Sequence, residues 1–219
     1  MINCKSKQKI KQIIDFLLGV ALLVLTAPLF FVIALAIKLD SKGPVLFKQE
    51  RIGKNKNKFL CYKFRTMRNN CSDEVHKENI HNLLTLGYSN VQDRIYGHSN
   101  DPRITRVGSI LRKCSLDELP QLINVIKGQM SLVGPRPAID YELKYYDKNM
   151  FKRFSVMPGI TGYWQTGDYP KADYMRMVTE DLYYIDNWSI GLDLNILLKT
   201  ILVVFRKRNE FAEKGGGNA

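Results

Sequence analysis

The chain contains 219 residues with a formal net charge of +12, and its sequence isoelectric point is about 9.5. This length supports one ordinary hydrophobic core and leaves little room for a second full domain. The positive charge favours anionic partners, and nucleic acid, an acidic lipid leaflet and a nucleotide substrate all fit that sign. The four cysteines form no CxxC pair, so we expect a reduced, cytosolic setting rather than a disulfide framework.

An almost uninterrupted apolar run occupies residues 13–37. A helix of that length covers about 37 Å, which is enough to cross a hydrocarbon core of about 30 Å. The run is too long for a signal peptide, and a charged segment follows it where a cleavage site should be. It also exceeds what the core of so small a domain can cover. The run therefore predicts a helix inserted in a membrane.

Two features of this run complicate a single crossing. Pro28 removes the helical hydrogen bond to the carbonyl of Val24 and predicts a kink, and the Thr26 hydroxyl could replace part of that bonding. Basic residues flank the run on both sides: Lys5, Lys7, Lys9 and Lys11 before it, and Lys38, Lys42, Lys48 and Arg51 after it. Positively charged flanks favour the cytoplasmic face, so a helix that enters and leaves the membrane on that face agrees with both flanks. Kinked helices that span the membrane are, however, the commoner arrangement. The residues alone leave both topologies open.

The next segments predict a hairpin and then a region without readable chemistry. Segments 45–52 and 58–65 are rich in aromatic and branched residues and flank a polar Gly/Asn turn, a pattern typical of a β-hairpin. Residues 69–100 are polar and predict a helix and loops of uncertain role. Cys71, His76 and His81 lack a fourth ligand or a recognised zinc spacing. We therefore interpret these three residues as ordinary loop residues.

Two adjacent carboxylates, Asp117 and Glu118, lie within a stretch whose apolar spacing predicts two short helices meeting near Ser115. Either Ser115 begins a capping box with Glu118, or Asp117 is the N-cap and Pro120 lies in the first turn. Both alternatives place the two carboxylates in the first turn of the second helix. Capping and compensation of the helix dipole are the default explanation for acidic residues at that place.

Two further helices are predicted in the last third of the chain. One helix is expected around residues 175–188, after a turn at residues 158–162. A broad apolar stripe over residues 190–205 predicts a second helix. That helix is either a core helix or an amphipathic helix in the lipid headgroup layer, with Trp188 at its edge. We expect residues 209–219 to form a flexible tail.

Phosphoryl transfer needs a nucleophile or base, positive charge for the phosphate oxygens and often magnesium. Asp117 and Glu118 could supply the nucleophile and the carboxylates for the metal. The candidate positive charges are Lys63, Arg65, Arg112 and Arg136. Arg136 lies between two prolines, so its backbone is restrained. Each basic residue taken alone fits a solvated surface equally well.

Five ordered motifs of this chain resemble those of the bacterial sugar transferases: Lys63–Met67, Ile104–Gly108 with Leu111-Arg112 after it, Ser115–Gln121, Ser131–Pro137 and Pro158–Gly162. More narrowly, they resemble the monotopic phosphoglycosyl transferases that act on polyprenyl phosphate, in their short form. The resemblance covers roughly residues 10–205. It implies a re-entrant N-terminal helix broken at a Ser-Pro-like position, which is Ala27-Pro28 here.

The resemblance also implies a two-step reaction. Asp117 would attack the β-phosphate of a UDP-sugar, displace UMP and form a covalent phosphosugar, which polyprenyl (undecaprenyl) phosphate then accepts. Glu118 would orient Mg²⁺ or assist the acceptor, and Asp117 would share the metal. The residues expected to bind phosphate or nucleotide are Lys63, Arg65, Arg112, Arg136 and Gln165. Gly167–Pro170 and Met157 depart from the family pattern, so the preferred sugar stays open.

We therefore expect an α+β, mainly helical enzyme at the cytoplasmic face of the bacterial inner membrane. Residues 1–40 would form the membrane helix, 41–208 the catalytic domain and 209–219 the tail. The expected partners are a UDP-sugar, polyprenyl phosphate and anionic lipid, without nucleic acid, and a homo-oligomer is compatible with the sequence. The alternatives are a non-catalytic basic module that binds a membrane surface or nucleic acid, and a direct glycosyl transferase that releases UDP.

Overall fold

The computed structural model describes residues 4–68, 74, 81, 101–167 and 174–215. Its helices and strands, in chain order, are α1 (Cys4–Asp40), β1 (Leu46–Ile52), β2 (Lys58–Phe64), α2 (Arg106–Lys113), α3 (Gln121–Ile126), β3 (Ser131–Val133), β4 (Gly159–Thr161), α4 (Tyr174–Asp186) and α5 (Ile190–Gly215). Short 3₁₀ turns connect several of these elements. This composition confirms the mainly helical α+β class.

Helix α1 is long enough and apolar enough to cross a membrane, with a mean hydropathy of 2.8 in its most apolar window. Helical backbone continues through Pro28. The Thr26 hydroxyl donates to the carbonyl of Leu22 at 2.6 Å and more weakly to that of Leu23. It therefore does not replace the bond that Val24 loses to the proline. This bonding to the preceding turn is a pattern that bends helices.

One stripe of α1 packs against the rest of the chain over nearly the whole helix. Asp15 and Gly19 are buried in its first half, and Ile33 and Ile37 are buried in its second half. The other faces of α1 expose large apolar side chains, among them Ile13, Leu17, Val24, Leu25, Phe31, Val32, Leu35 and Leu39. The helix thus has one face fitted to protein and a wide face suited to lipid.

The predicted hairpin is confirmed: β1 and β2 pair antiparallel, with Leu46 opposite Phe64 and Ile52 opposite Lys58. Its turn places Asn55 and Lys56 in left-handed backbone, with φ of 57° and 63°. Strands β3 and β4 form a separate parallel pair. The hairpin and this pair both lie against α3, whose Leu122 and Val125 are buried between them.

The two short helices around Ser115 are confirmed as α2 and α3, but both predicted caps are wrong. Asp117 and Glu118 lie in a 3₁₀ turn, Leu116–Glu118, that precedes α3. Ser115 has a φ of 55° and makes no side-chain capping bond, because a capping serine requires extended rather than left-handed backbone. Pro120, which has no N–H to satisfy, is the residue that precedes α3.

The C-terminal part confirms both helices, and α5 has one buried and one exposed apolar face, while its place in the lipid headgroup layer stays a prediction. Ile196 is 1% exposed and belongs to the core formed with β2, α3 and β3. The opposite face exposes Leu194, Leu198, Ile201 and Leu202. Helix α5 continues to Gly215 and so extends into the predicted tail, whose flexibility stays a prediction. Once a helix has formed, each added residue gains a hydrogen bond at small entropic cost.

Some predictions fall outside the described residues. These are the fate of Cys71 and His76, most of segment 69–100, the departure at residues 168–170 and the end of the tail at 216–219. The ring of His81 is described, and its Nδ1 lies 2.7 Å from the hydroxyl of Tyr145.

Candidate active site

The carboxylate pair is carried by the 3₁₀ turn between α2 and α3 and packs against the end of β2. There Lys63 donates from Nζ to Oε1 of Glu118 at 2.6 Å. The two side chains keep 29% and 30% of their surface exposed, so the ion pair lies at a surface that a ligand can reach. Within the described part of the chain, Asp117 forms no ion pair within 4 Å.

The two carboxylates titrate differently because only one of them has a cation in contact. Burial by itself raises the pKa of Glu118, but Lys63 and, at longer range, Arg136 and Arg51 bring that pKa below its ordinary value. Burial raises the pKa of Asp117 to about 6; Lys63 works against this rise and the charge of Glu118 adds to it. Neighbouring carboxyl groups whose pKa values are shifted in opposite directions are typical of active sites that use the two groups for different tasks.

Arg112 reaches the site from the last turn of α2. Its Nε donates to the Thr66 hydroxyl at 2.8 Å. Burial lowers the pKa of this guanidinium, and the charge of Asp117 opposes the lowering. Arginine stays protonated at neutral pH under any such shift. A permanent positive charge therefore stands near Asp117.

Arg136 lies on a loop whose backbone is fixed at three consecutive carbonyls. These are the carbonyls of Pro135, Arg136 and Pro137, which accept from the Gly159 N–H at 2.9 Å, the Arg153 Nη2 at 3.0 Å and the Arg51 Nη1 at 3.0 Å. Prolines on both sides restrict the backbone further. The restrained backbone expected from the sequence is thus present, with two buried arginines as its unexpected supports.

The side chain of Arg136 is held by Glu142, a carboxylate with no exposed surface. Nη1 of Arg136 lies 3.1 Å from Oε1 of Glu142, and Glu142 also accepts from the Ile139 N–H and the Tyr174 hydroxyl. Burial opposes the ionised form of Glu142, but Arg136 and Arg51 bring its pKa below the ordinary value. Arg136 is therefore a guanidinium held in place by a carboxylate whose ionised form is favoured.

Glycines explain why the motifs Ser131–Pro137 and Pro158–Gly162 occur together. A Cβ added to Gly159 would lie 2.1 Å from the Gly134 nitrogen, and one added to Gly134 would lie 2.5 Å from the Met157 carbonyl oxygen. Only backbones without side chains can approach this closely. The parallel pairing of β3 and β4, and hence the position of the Arg136 loop, depends on these two residues.

Two predicted site residues, Arg65 and Gln165, have their described contacts away from the carboxylate pair. Arg65 is 4% exposed, and its terminal nitrogens donate to the carbonyls of Ile37, Ser41 and Lys42 at the end of α1. These bonds hold the last turn of α1 and the two residues that follow it, so they make Arg65 an anchor for the end of that helix. Gln165 lies in the 3₁₀ turn after β4, which packs against α4 and α5, and no described contact joins it to the carboxylates.

Sequence reasoning missed Thr66, Glu142, Arg51 and Arg153. Thr66 belongs to the motif Lys63–Met67, but the sequence does not show that its hydroxyl accepts from Arg112. Glu142 and Arg153 look like ordinary surface charges in the sequence. Their burial becomes evident only when distant segments pack together.

The donor set fits one hard divalent cation. Mg²⁺ keeps several waters and commonly uses one or two carboxylates together with substrate phosphates, and Asp117 and Glu118 offer two carboxylates on one turn. No group of three or more potential metal ligands occurs among the described residues. A fully protein-coordinated metal is therefore not indicated in that part of the chain.

Comparison of the sequence with known proteins identifies a family. The family model described as "Bacterial sugar transferase" covers residues 6–207. The exopolysaccharide production protein ExoY of Rhizobium meliloti is 39% identical over 208 residues, which are 92% of this chain and 88% of the relative. The undecaprenyl-phosphate galactose phosphotransferase of Salmonella typhimurium is 39% identical over 203 residues, or 93% of this chain. The undecaprenyl-phosphate glucose phosphotransferase of Komagataeibacter xylinus is 41% identical over 212 residues, or 92% of this chain. The chain spans only 42% and 37% of the length of the last two.

Proposed function

Because this chain belongs to the bacterial sugar transferase family, we propose that it transfers a sugar 1-phosphate from a UDP-sugar to undecaprenyl phosphate. The products are undecaprenyl-diphosphate sugar and UMP. Relatives named for undecaprenyl-phosphate sugar transfer and for exopolysaccharide production support this activity. The lipid-linked sugar would begin the assembly of a surface glycan.

The observation that carries the proposal is the unequal carboxylate pair. Lys63 engages Glu118, whereas Asp117 has no ion pair within the described residues and has a pKa of about 6. An ionised carboxylate whose charge is poorly stabilised by its surroundings is a suitable nucleophile. Asp117 is therefore the attacking group, and Glu118 is its charged neighbour.

The reaction proceeds in two balanced displacements. A carboxylate oxygen of Asp117 forms a bond to the β-phosphorus of the UDP-sugar, and the bond from that phosphorus to the bridging oxygen breaks. UMP leaves with the bridging oxygen and its electron pair. A phosphate oxygen of undecaprenyl phosphate then attacks the same phosphorus, which releases the Asp117 carboxylate and completes the lipid diphosphate.

The basic residues counter the charge of the diphosphate. Arg112 stands near Asp117, Lys63 contacts Glu118, and Arg136 lies close enough to lower the pKa of Glu118. Fixed cations at these places stabilise charge that develops on phosphate oxygens during transfer. Glu118 and Asp117 would hold Mg²⁺, which neutralises diphosphate charge when bound.

Contacts at both ends of α1 support a re-entrant helix. Near its start, Lys11 donates to Asp193 at 2.6 Å and Asp15 accepts from the Ser131 hydroxyl at 2.6 Å. Near its end, Asp40 accepts from the Val107 N–H at 3.0 Å. A domain on one side of a bilayer can hold both ends only if both ends lie on that side. The basic flanks favour the cytoplasmic face of the inner membrane, where anionic lipid would attract them.

The proposal is tested by nucleotide release. Purified protein is incubated with undecaprenyl phosphate, Mg²⁺ and a panel of UDP-sugars, and we expect UMP with one donor or a few. Asp117→Asn should abolish release while membrane retention persists. Asp140→Asn, at an exposed carboxylate with 63% of its side-chain surface accessible, is the matched control and should behave as the parent protein.

Other outcomes would favour the alternatives. Release of UDP instead of UMP would indicate direct glycosyl transfer. Membrane or nucleic-acid binding without turnover of any donor would indicate a binding module. Incubation with the donor alone should add one sugar phosphate to the peptide containing residue 117, detectable by mass spectrometry. Full activity in Asp117→Asn without such an adduct would contradict the covalent route.

A further inference from the structure

The guanidinium of Arg112 has two ends in different surroundings. Its Nε–H donates to the Thr66 hydroxyl at 2.8 Å. Among the described residues, its terminal nitrogens Nη1 and Nη2 have no protein acceptor. The charge of the same guanidinium opposes the rise in the pKa of Asp117 that burial causes, although less strongly than Lys63 does. Thr66 therefore accepts from Nε of the Arg112 guanidinium. The edge formed by Nη1 and Nη2 has no protein acceptor among the described residues.

Thr66 is itself held firmly, so it can act as a support. It is 7% exposed, and its carbonyl accepts from the Thr105 N–H at 3.0 Å. The backbone of α2 presses against it at Gly108, where an added Cβ would lie 2.1 Å from the Thr66 carbonyl oxygen. The hydroxyl of Thr105 also caps α2 by accepting from the Gly108 N–H at 3.0 Å. The helix that carries Arg112 is thus anchored at the residue that receives the Arg112 Nε–H.

We propose that Thr66 is a positioning residue for phosphoryl transfer, a role that rests on the proposed function. A guanidinium can offer a phosphate either the edge that contains Nε or the edge formed by Nη1 and Nη2. The Thr66 hydroxyl occupies Nε and so leaves the second edge for substrate. Arg112 then binds two oxygens of the transferred phosphoryl group as Asp117 attacks it. The ligand class is a nucleoside diphosphate ester, recognised at the phosphate next to the sugar.

A pair of conservative variants tests this role. Thr66→Val keeps the branched shape and removes the acceptor, whereas Thr66→Ser keeps the hydroxyl. Loss of a hydrogen bond to a charged group predicts a drop in kcat/KM of about tenfold or more for Thr66→Val. Thr66→Ser should stay within about threefold of the parent protein. Equal activity of the valine variant and the parent would overturn the proposal.

A double-mutant cycle separates positioning from general structural support. In an Arg112→Ala background the hydroxyl has no guanidinium to hold, so Thr66→Val should cause no further loss of kcat/KM. If the two losses multiply instead, Thr66 acts independently of Arg112 and the proposal fails. Thermal unfolding of each variant is measured alongside. Thr66→Ala removes the same acceptor with less apolar bulk and carries the same prediction if Thr66→Val does not fold.

The outcome is distinguishable from failure of the proposed function. If the parent protein releases no UMP from any donor tested, the proposed reaction is wrong, and binding of UDP is then used as the readout. Weaker UDP binding in Thr66→Val than in Thr66→Ser, only while Arg112 is present, would still support the positioning role. Equal UDP binding in the two variants would overturn it.

Discussion

Neighbouring residues of identical charge have different chemistry in this protein because their contacts differ. Glu118 has Lys63 at 2.6 Å, so its ionised form is stabilised. Asp117 is one residue away, and burial makes ionisation less favourable there. A single lysine on β2 therefore separates the pKa values of two adjacent carboxylates, which suits the proposed division of roles between Asp117 and Glu118.

The first residue-scale prediction concerns pH. With a pKa of about 6, Asp117 is about one-tenth ionised at pH 5 and about nine-tenths ionised at pH 7. In the proposed reaction only the ionised carboxylate attacks, so the rate of UMP release at saturating substrates should rise through pH 6 and then level off. Lys63→Met removes the charge that lowers the pKa of Asp117, so its midpoint should move to higher pH. A parent midpoint near pH 4 would contradict the assignment.

The second residue-scale prediction concerns the partner of Arg136. Glu142→Gln keeps the shape of the side chain but leaves Arg136 and its buried neighbours without a compensating charge. Loss of charge-assisted hydrogen bonds at a site without exposed surface should lower the free energy of unfolding by about 2 kcal/mol or more. KM for the donor should rise as well, because Arg136 loses its support. Denaturant unfolding and initial rates are the two measurements, and unchanged values for both would refute this role.

At the level of elements, the site depends on how α1, β2, α2 and α3 meet. The 3₁₀ turn with the carboxylates has no side-chain capping bond, and β2 and α2 pack against it. Helix α1 packs against α3, and Arg65, next after β2, donates to the carbonyls of Ile37 in the last turn of α1 and of Ser41 just beyond it. Helix α1 is therefore part of the support of the turn that carries Asp117 and Glu118.

This packing predicts a specific effect of crowding α1. A Cβ added to Gly19 would lie 3.2 Å from Cγ1 of Val125 in α3. Gly19→Leu should therefore push α1 from α3, lower the unfolding temperature in detergent and reduce UMP release. Ala21→Leu, on the exposed face of α1, is the control and should leave both quantities near parent values. Equal effects of the two variants would mean that the contact between α1 and α3 does not support the site.

At the scale of the whole molecule, positive charge and exposed apolar surface act together. The chain carries a net charge of +12, and α1 and α5 both expose broad apolar faces. Such a combination favours a domain lying on an anionic leaflet with α1 inserted. The active site would then lie where a water-soluble nucleotide sugar and a lipid phosphate can meet.

The topology of α1 is tested by labelling. Ser6→Cys and Lys42→Cys, each in a background without the native cysteines, place thiols at exposed positions near the two ends of α1. If both ends lie on the cytoplasmic face, an impermeant thiol reagent should label both in inverted membrane vesicles and neither in intact spheroplasts. Labelling of position 6 in spheroplasts alone would establish a crossing helix and contradict re-entry.

Local sequence patterns determined much of this protein. The apolar run, the hairpin, the two short helices around Ser115 and the amphipathic α5 all follow from composition and from periods set by backbone geometry. The order of five motifs was enough to identify the family, which the family model confirms. These features need only neighbours in the chain, so the chain displays them directly.

Tertiary structure decided which charged residues serve the site. Arg65 and Arg112 look alike in sequence, but one anchors the end of α1 and the other lies near enough to Asp117 to influence its pKa. Thr66 and Glu142 gained their tasks from contacts with Arg112, 46 residues away in the chain, and with Arg136 on a neighbouring loop. The free energy of burying a charge, and the contacts that offset it, depend on distances in space, which local sequence patterns do not encode.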